Sequence, residues 1–143
     1  MFVKGVGIIG IIVVIGLFFW FSSAPVGSTI TINGHSWQVA LADEPKEQEQ
    51  GLSGRTGLAA DRGMLFIFPD SAQYGFWMKD MKFPLDIVWI KDNQVVGISE
   101  KLAPETYPSL FYPPAPVDKV LEINAGQVEK FNIKIGDVVK FKM

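Results

Sequence analysis

TITINGHSWQVALA, residues 29–42, is the stretch whose reading decides the fold. Thr29-Ile30-Thr31-Ile32 alternates polar and apolar side chains, and Ser36-Trp37-Gln38-Val39 does the same beyond Asn33-Gly34. A period of two is the mark of a half-buried strand. An Asn-Gly pair between two such runs supplies the positive φ that a tight hairpin turn demands. The folded part of the chain therefore opens as antiparallel β-structure, with strands over 29–32 and 35–42.

Further strands follow at short intervals. Met64-Leu65-Phe66-Ile67-Phe68 is too apolar to have a wet face, and a strand is predicted over 63–68. Two more are predicted over 75–79 and 85–91, the second turning at Asp92-Asn93 into 95–102. Residues 117–123 resume the sheet and 137–142 close it with alternating Val and Phe. Between the early strands, Asp43 is placed to cap a short helix over 44–50, with Pro45 in its first turn and Gly51 at its end. A helical turn is expected within 125–131. Residues 103–116 hold five prolines in fourteen positions, which excludes regular structure and predicts a long surface loop. Seven or eight short strands with one or two small helices predict a mainly β domain, a compact barrel or sandwich.

Upstream lies GVGIIGIIVVIGLFFWF, residues 5–21, without a charged or strongly polar side chain. As a helix, seventeen residues reach roughly 26 Å, near the lower limit for crossing a bilayer. Lys4 and the terminal amine precede the run and favour a cytoplasmic N-terminus. The expectation is a single-pass anchor and linker over 1–25, carrying a domain over 26–143 outside the cytoplasm. The alternative is cleavage after Ala24, following Ser22-Ser23, which would release a secreted or periplasmic domain. Pro25 immediately after that bond, and the length of the apolar run, favour the anchor.

Composition removes several function classes. With no cysteine and one histidine, His35, the 143-residue chain can form no cysteine zinc site, disulfide, histidine triad or multi-histidine metal site. With Lys4 set aside, twelve basic residues face fifteen acidic ones, so no electrostatic footprint for nucleic acid is expected. His35 beside the hairpin is expected as a solvent-exposed turn residue. Met78 and Met81 are read as core filler rather than as soft ligands for copper(I).

Within 51–91, and again at Glu122, single charges stand among apolar neighbours. Asp86 interrupts Leu85–Ile90, and Glu122 lies in Val120-Leu121-Glu122-Ile123. A charge in such a place must find a partner or a ligand. Strand alternation puts Trp77 and Lys79 on one face and Phe76 and Met78 on the other.

The blocks GLSGR (51–55), RGMLFIF (62–68), FWMKDM (76–81), PLDIVWI (84–90) and YPPAPVDKVLEINAG (112–126), in that order and spacing, resemble the domain of unknown function 192 family. The resemblance covers about residues 28–142. It implies a small β-rich domain, often behind a signal or anchor, and brings no settled activity. The positions similar to the family's are Arg55, Gly63, Met64, Phe66, Phe76, Trp77, Met78, Lys79, Pro84, Asp86 and Glu122. Asp80-Met81 stands where Asn-Thr is more usual, and Ser53 where Met is.

The expected site is a pocket between sheet and loop formed by Arg55, Trp77, Lys79, Asp86 and Glu122. In it Arg55 and Lys79 hold a small polar or anionic ligand and Trp77 forms an apolar wall. The competing reading of the same charges is an ion-pair network that fixes strand register. Three functions remain open. The first is a non-catalytic binding or accessory module with no cofactor and no catalytic residue. The second is an enzyme using Asp86 and Lys79 as acid and base on a small or glycan substrate. The third is an interaction protein docking an envelope partner through 103–116.

Overall fold

The computed structural model describes residues 27–143, and the expected anchor over 5–21 lies outside them. Among the described residues no helix is long and apolar enough to cross a membrane. The chain is mainly β, with strands β1 (Thr29–Ile32), β2 (His35–Ala42), β3 (Arg62–Ala72), β4 (Leu85–Lys91), β5 (Gln94–Leu102), β6 (Val117–Asn124) and β7 (Val139–Lys142). Two short α-helices, α1 (Pro45–Gln50) and α2 (Gln127–Lys130), and a 3-10 turn at Pro104–Thr106 complete it.

The seven strands form one curled sheet in the order β5-β4-β6-β3-β2-β1-β7, a half-barrel rather than a sandwich. The hairpin stands as expected: Ile32 pairs with His35 across Asn33 (φ 49°) and Gly34 (φ 81°). β2 and β3 are parallel, joined by a crossover that carries α1, while the other neighbours are antiparallel. The edge strands approach at one end. Gln94 bridges Val138, and the Val95 N–H donates to the Asp137 carbonyl at 3.0 Å.

Both faces of the sheet are covered. The concave side gathers Ile30, Ile32, Trp37, Val39, Leu65, Val88, Ile90, Leu121, Ile123 and Val139, with Val128 of α2 and Ile133 closing over them. The convex side of β3, β6 and β4 presents Met64, Phe66, Val120, Leu85, Ile87 and Trp89 to the intervening segments, which bring Leu52, Met78 and Phe76. Burial on both faces is why 63–68 and 85–90 lack a polar alternation.

Three expectations need correction. Residues 75–79 do not form a strand; their backbone contributes one bridge, Phe76 to Phe111. Their alternation is real in burial, since Met78 is buried and Trp77 exposed, but it arises from packing on the sheet rather than from strand pairing. Glu44, not Asp43, precedes the first turn of α1. Proline disfavours helical backbone in the residue before it, and Glu44 is extended (φ −103°, ψ 146°) ahead of Pro45. His35 is half-buried rather than solvent-exposed, its ring stacked on Phe131 with centroids 3.6 Å apart.

Candidate functional site

Asp86 and Glu122 belong to neighbouring strands, and their register separates them. Ile87 lies opposite Glu122 and Asp86 opposite Ile123, so the two carboxylates point to different sides of the sheet.

Asp86 faces the concave side and is fully buried. A bulge in the β4–β5 pairing passes over it, from the Leu85–Leu102 pair to the Ile87–Ser99 pair. The Lys101 N–H, at a residue with φ 54°, donates to Asp86 Oδ1 at 2.8 Å. The Val128 N–H in the first turn of α2 donates to Oδ2 at 2.9 Å. Donors there have no partner within the helix, so Asp86 satisfies two otherwise orphaned groups and ties α2 to the sheet.

Glu122 faces the convex side at the middle of the sheet, flanked by Met64 on β3 and Ile87 on β4. It is 6% exposed, and its Oε2 is buried with no hydrogen-bond partner among the described residues. Burial pushes its carboxyl up to about 8, so at neutral pH the group is mostly protonated.

Above Glu122 opens a cleft of about 470 Å³. The end of α1 and the residues after it form one wall: Gln50, Gly51, Leu52 and Ser53. Gly51 has φ 50°, and a Cβ there would stand 3.3 Å from the Phe66 ring and 3.9 Å from Glu122 Oε2. The other walls are Phe66 and Phe68 of β3, Tyr74, Phe76, Trp77 and Met81 of the crossing segment, and Leu110 of the proline-rich loop. Phe68 stacks on Tyr74 at 3.7 Å, and Phe66 meets Phe76 edge-on at 4.9 Å. Trp77 and Leu110 are half exposed at the lip, at 46% and 47%.

The walls are tied to one another. Ser53 Oγ donates to the Lys79 carbonyl at 2.8 Å, and the Gly54 N–H donates to the Asp80 carbonyl at 2.9 Å. Phe76 and Phe111 exchange backbone hydrogen bonds of 2.9 and 2.8 Å. Pro113 is buried, and its carbonyl accepts from Gln73 Nε2 at 3.0 Å. The loop over 103–116 thus packs on the domain, leaving Tyr107, Leu110 and Tyr112 outward.

Of the five expected site residues, the structure brings Trp77 and Glu122 to one cleft. Asp86 is on the other side of the sheet. Lys79 lies in an exposed turn with its ammonium 5.5 Å from the Trp77 ring centroid, outside the lining. Arg55 is outside the lining too, and neither it nor Lys79 forms an ion pair among the described residues. The expected network of four charges is therefore not assembled. Sequence reasoning missed Phe68, Tyr74 and Leu110. Phe68 continues the parity of Phe66, a signal that was present; Leu110 comes from a loop with no periodicity to read. Ser53 and Met81, where this chain departs from the family pattern, both line the cleft.

The DUF192 family, described as an uncharacterised ACR, matches residues 28–141. A crystal structure of a Sinorhizobium meliloti protein, named as a candidate transcription regulator, is 33% identical. The match covers 80% of this chain and 93% of that one, with a TM-score of 0.76. A protein of unknown function from Novosphingobium aromaticivorans is 34% identical over 80% of this chain and 84% of its own, with a TM-score of 0.74. No curated protein matches.

Proposed function

This chain belongs to the DUF192 family, and we propose that its domain is a binding module that takes a small molecule into the cleft above Glu122. The observation that carries this reading is Glu122 Oε2, buried and without a partner among the described residues, at the floor of a cavity whose largest lining groups are the rings of Phe66, Phe68, Tyr74, Phe76 and Trp77. An unmade hydrogen bond at a buried polar atom costs roughly 1–3 kcal/mol, which a ligand supplying the partner would recover. A concave, mostly apolar site with a small number of placed polar groups is the usual form of a small-molecule pocket. Four of the five sequence blocks that carry the family resemblance contribute to the cleft: Gly51 to Ser53, Phe66, Phe76 with Trp77, and Glu122.

The ligand proposed differs from the anion expected from sequence, because Arg55 and Lys79 stand outside the lining and Glu49 and Glu122 within it. The reading of Asp86 with Lys79 as acid and base has less support, since both Asp86 oxygens already accept backbone hydrogen bonds. The regulator name of the Sinorhizobium protein is not carried across, as this chain's net charge of −2 gives no overall attraction to nucleic acid. We further propose that residues 5–21 hold the domain to a membrane on its extracytoplasmic side.

A fragment screen followed by two-dimensional NMR tests the binding reading. Saturable binders should shift resonances of Trp77, Phe66 and Gly51 together. Trp77→Ala, at the lip and half exposed, should weaken them by about tenfold or more without unfolding the protein. Binding that maps only to the outer face of Tyr107 and Tyr112 would move the site to the loop and favour a docking partner instead.

A further inference from the structure

Both carboxylates that touch the cleft, Glu49 at its rim and Glu122 at its floor, bring negative charge when ionised, and among the described residues no lysine or arginine lines it. Facing the wall of Gln50 to Ser53 are the rings of Phe66, Phe76 and Trp77. Aromatic rings attract cations through their quadrupoles, and more strongly where water is excluded. An anion placed there would meet Glu122 and gain no counter-charge. A purely apolar guest would leave Oε2 as it is now, buried and unpartnered.

We propose that the cleft takes a small organic ammonium, its apolar body between the aromatic walls and its N–H donating to Glu122. The inference rests on the binding reading above and names the ligand class for the same site. In the free protein, burial favours the protonated carboxyl. As the ammonium arrives, the carboxyl proton leaves to solvent and the ionised oxygen accepts the ammonium N–H. One positive charge enters as another departs, so the buried charge stays balanced. The other titratable groups facing Glu122 across the cleft are Glu49 from α1 and Tyr74 from the crossing segment; Met64 and Ile87 beside it carry none. Lys79, its ammonium 5.5 Å from the Trp77 ring centroid, is a cation beside the lip and would oppose entry modestly.

The test uses the full chain in lipid nanodiscs, titrated calorimetrically at neutral pH with phenethylamine, phenethyl alcohol and phenylacetate. These share a ring and differ in the charge of the head group. The amine should bind about tenfold or more tighter than the alcohol, and phenylacetate weakest of all. Buffers of different ionisation enthalpy should report proton release with the amine alone. Glu122→Gln should abolish both the amine's advantage over the alcohol and the proton release, and an unchanged far-ultraviolet circular dichroism spectrum with a cooperative thermal melt shows that the variant is folded. The alcohol or phenylacetate binding as tightly as the amine, or an amine advantage that survives Glu122→Gln, would overturn the ammonium assignment and leave the binding site standing. Failure of all three to bind would count against both readings.

Discussion

Asp86 and Glu122 are both carboxylates inside apolar strands, and the sequence offers no way to tell their roles apart. Asp86 accepts two backbone N–H groups and Glu122 Oε2 accepts none, so their removal should have opposite consequences. Urea unfolding of Asp86→Asn and Glu122→Gln at about pH 5 and about pH 9 separates them. Asp86→Asn replaces one acceptor oxygen with a donor facing a donor, and should lose about 2–4 kcal/mol at both values. For Glu122 the folded state holds its carboxyl proton up to about pH 8, whereas the unfolded chain releases it near 4.5. In that window the native state binds more protons than the unfolded one, so stability falls as pH rises and the penalty is complete above about 8. At ~1.4 kcal/mol per unit the penalty is on the order of a few kcal/mol. Glu122→Gln should be near neutral at about pH 5 and stabilising by about 2–4 kcal/mol at about pH 9. Equal destabilisation at both pH values would mean that Glu122 is paired in solution and not poised for a ligand.

Among the elements, the proline-rich loop shows how little of a site's wall is legible locally. Its five prolines announce irregular backbone, yet its position depends on a glycine sixteen residues before Pro113. Gly97 lies under Pro114: a Cβ there would stand 2.6 Å from the proline Cδ and 3.1 Å from Trp89. Gly97→Val should therefore lift the loop, costing about 1–3 kcal/mol and loosening the Phe76–Phe111 bridge. Amide hydrogen exchange at Phe111 is the readout, and unchanged protection there with unchanged stability would show that the loop is held elsewhere. The hairpin over 29–42 was legible because Asn33-Gly34 dictates its own turn. The segment over 75–79 was misread because burial alternation looks the same whether the backbone is paired in a sheet or laid across one.

At the scale of the whole molecule, the curl of the sheet creates two cores, and the convex one is incomplete where the cleft enters. The chain before residue 27 adds the proposed membrane attachment. With the full chain expressed in a bacterium, protease added to intact spheroplasts should degrade the domain, and alkaline washing should leave it in the membrane fraction. Protection from protease would place the domain in the cytoplasm, and release by alkali would remove the anchor.

The sequence by itself determined the β-rich class, the hairpin, the two short helices and the irregular loop, because each follows from local backbone preference or from a period of two. It also singled out Glu122 as a charge without an evident reason. Only the tertiary structure decided which carboxylate is satisfied and which faces the cleft. That choice turns on strand register: Ile87, not Asp86, lies opposite Glu122. A slip of one residue would exchange the faces of every side chain on a strand, and register is set by pairings between segments far apart in the chain.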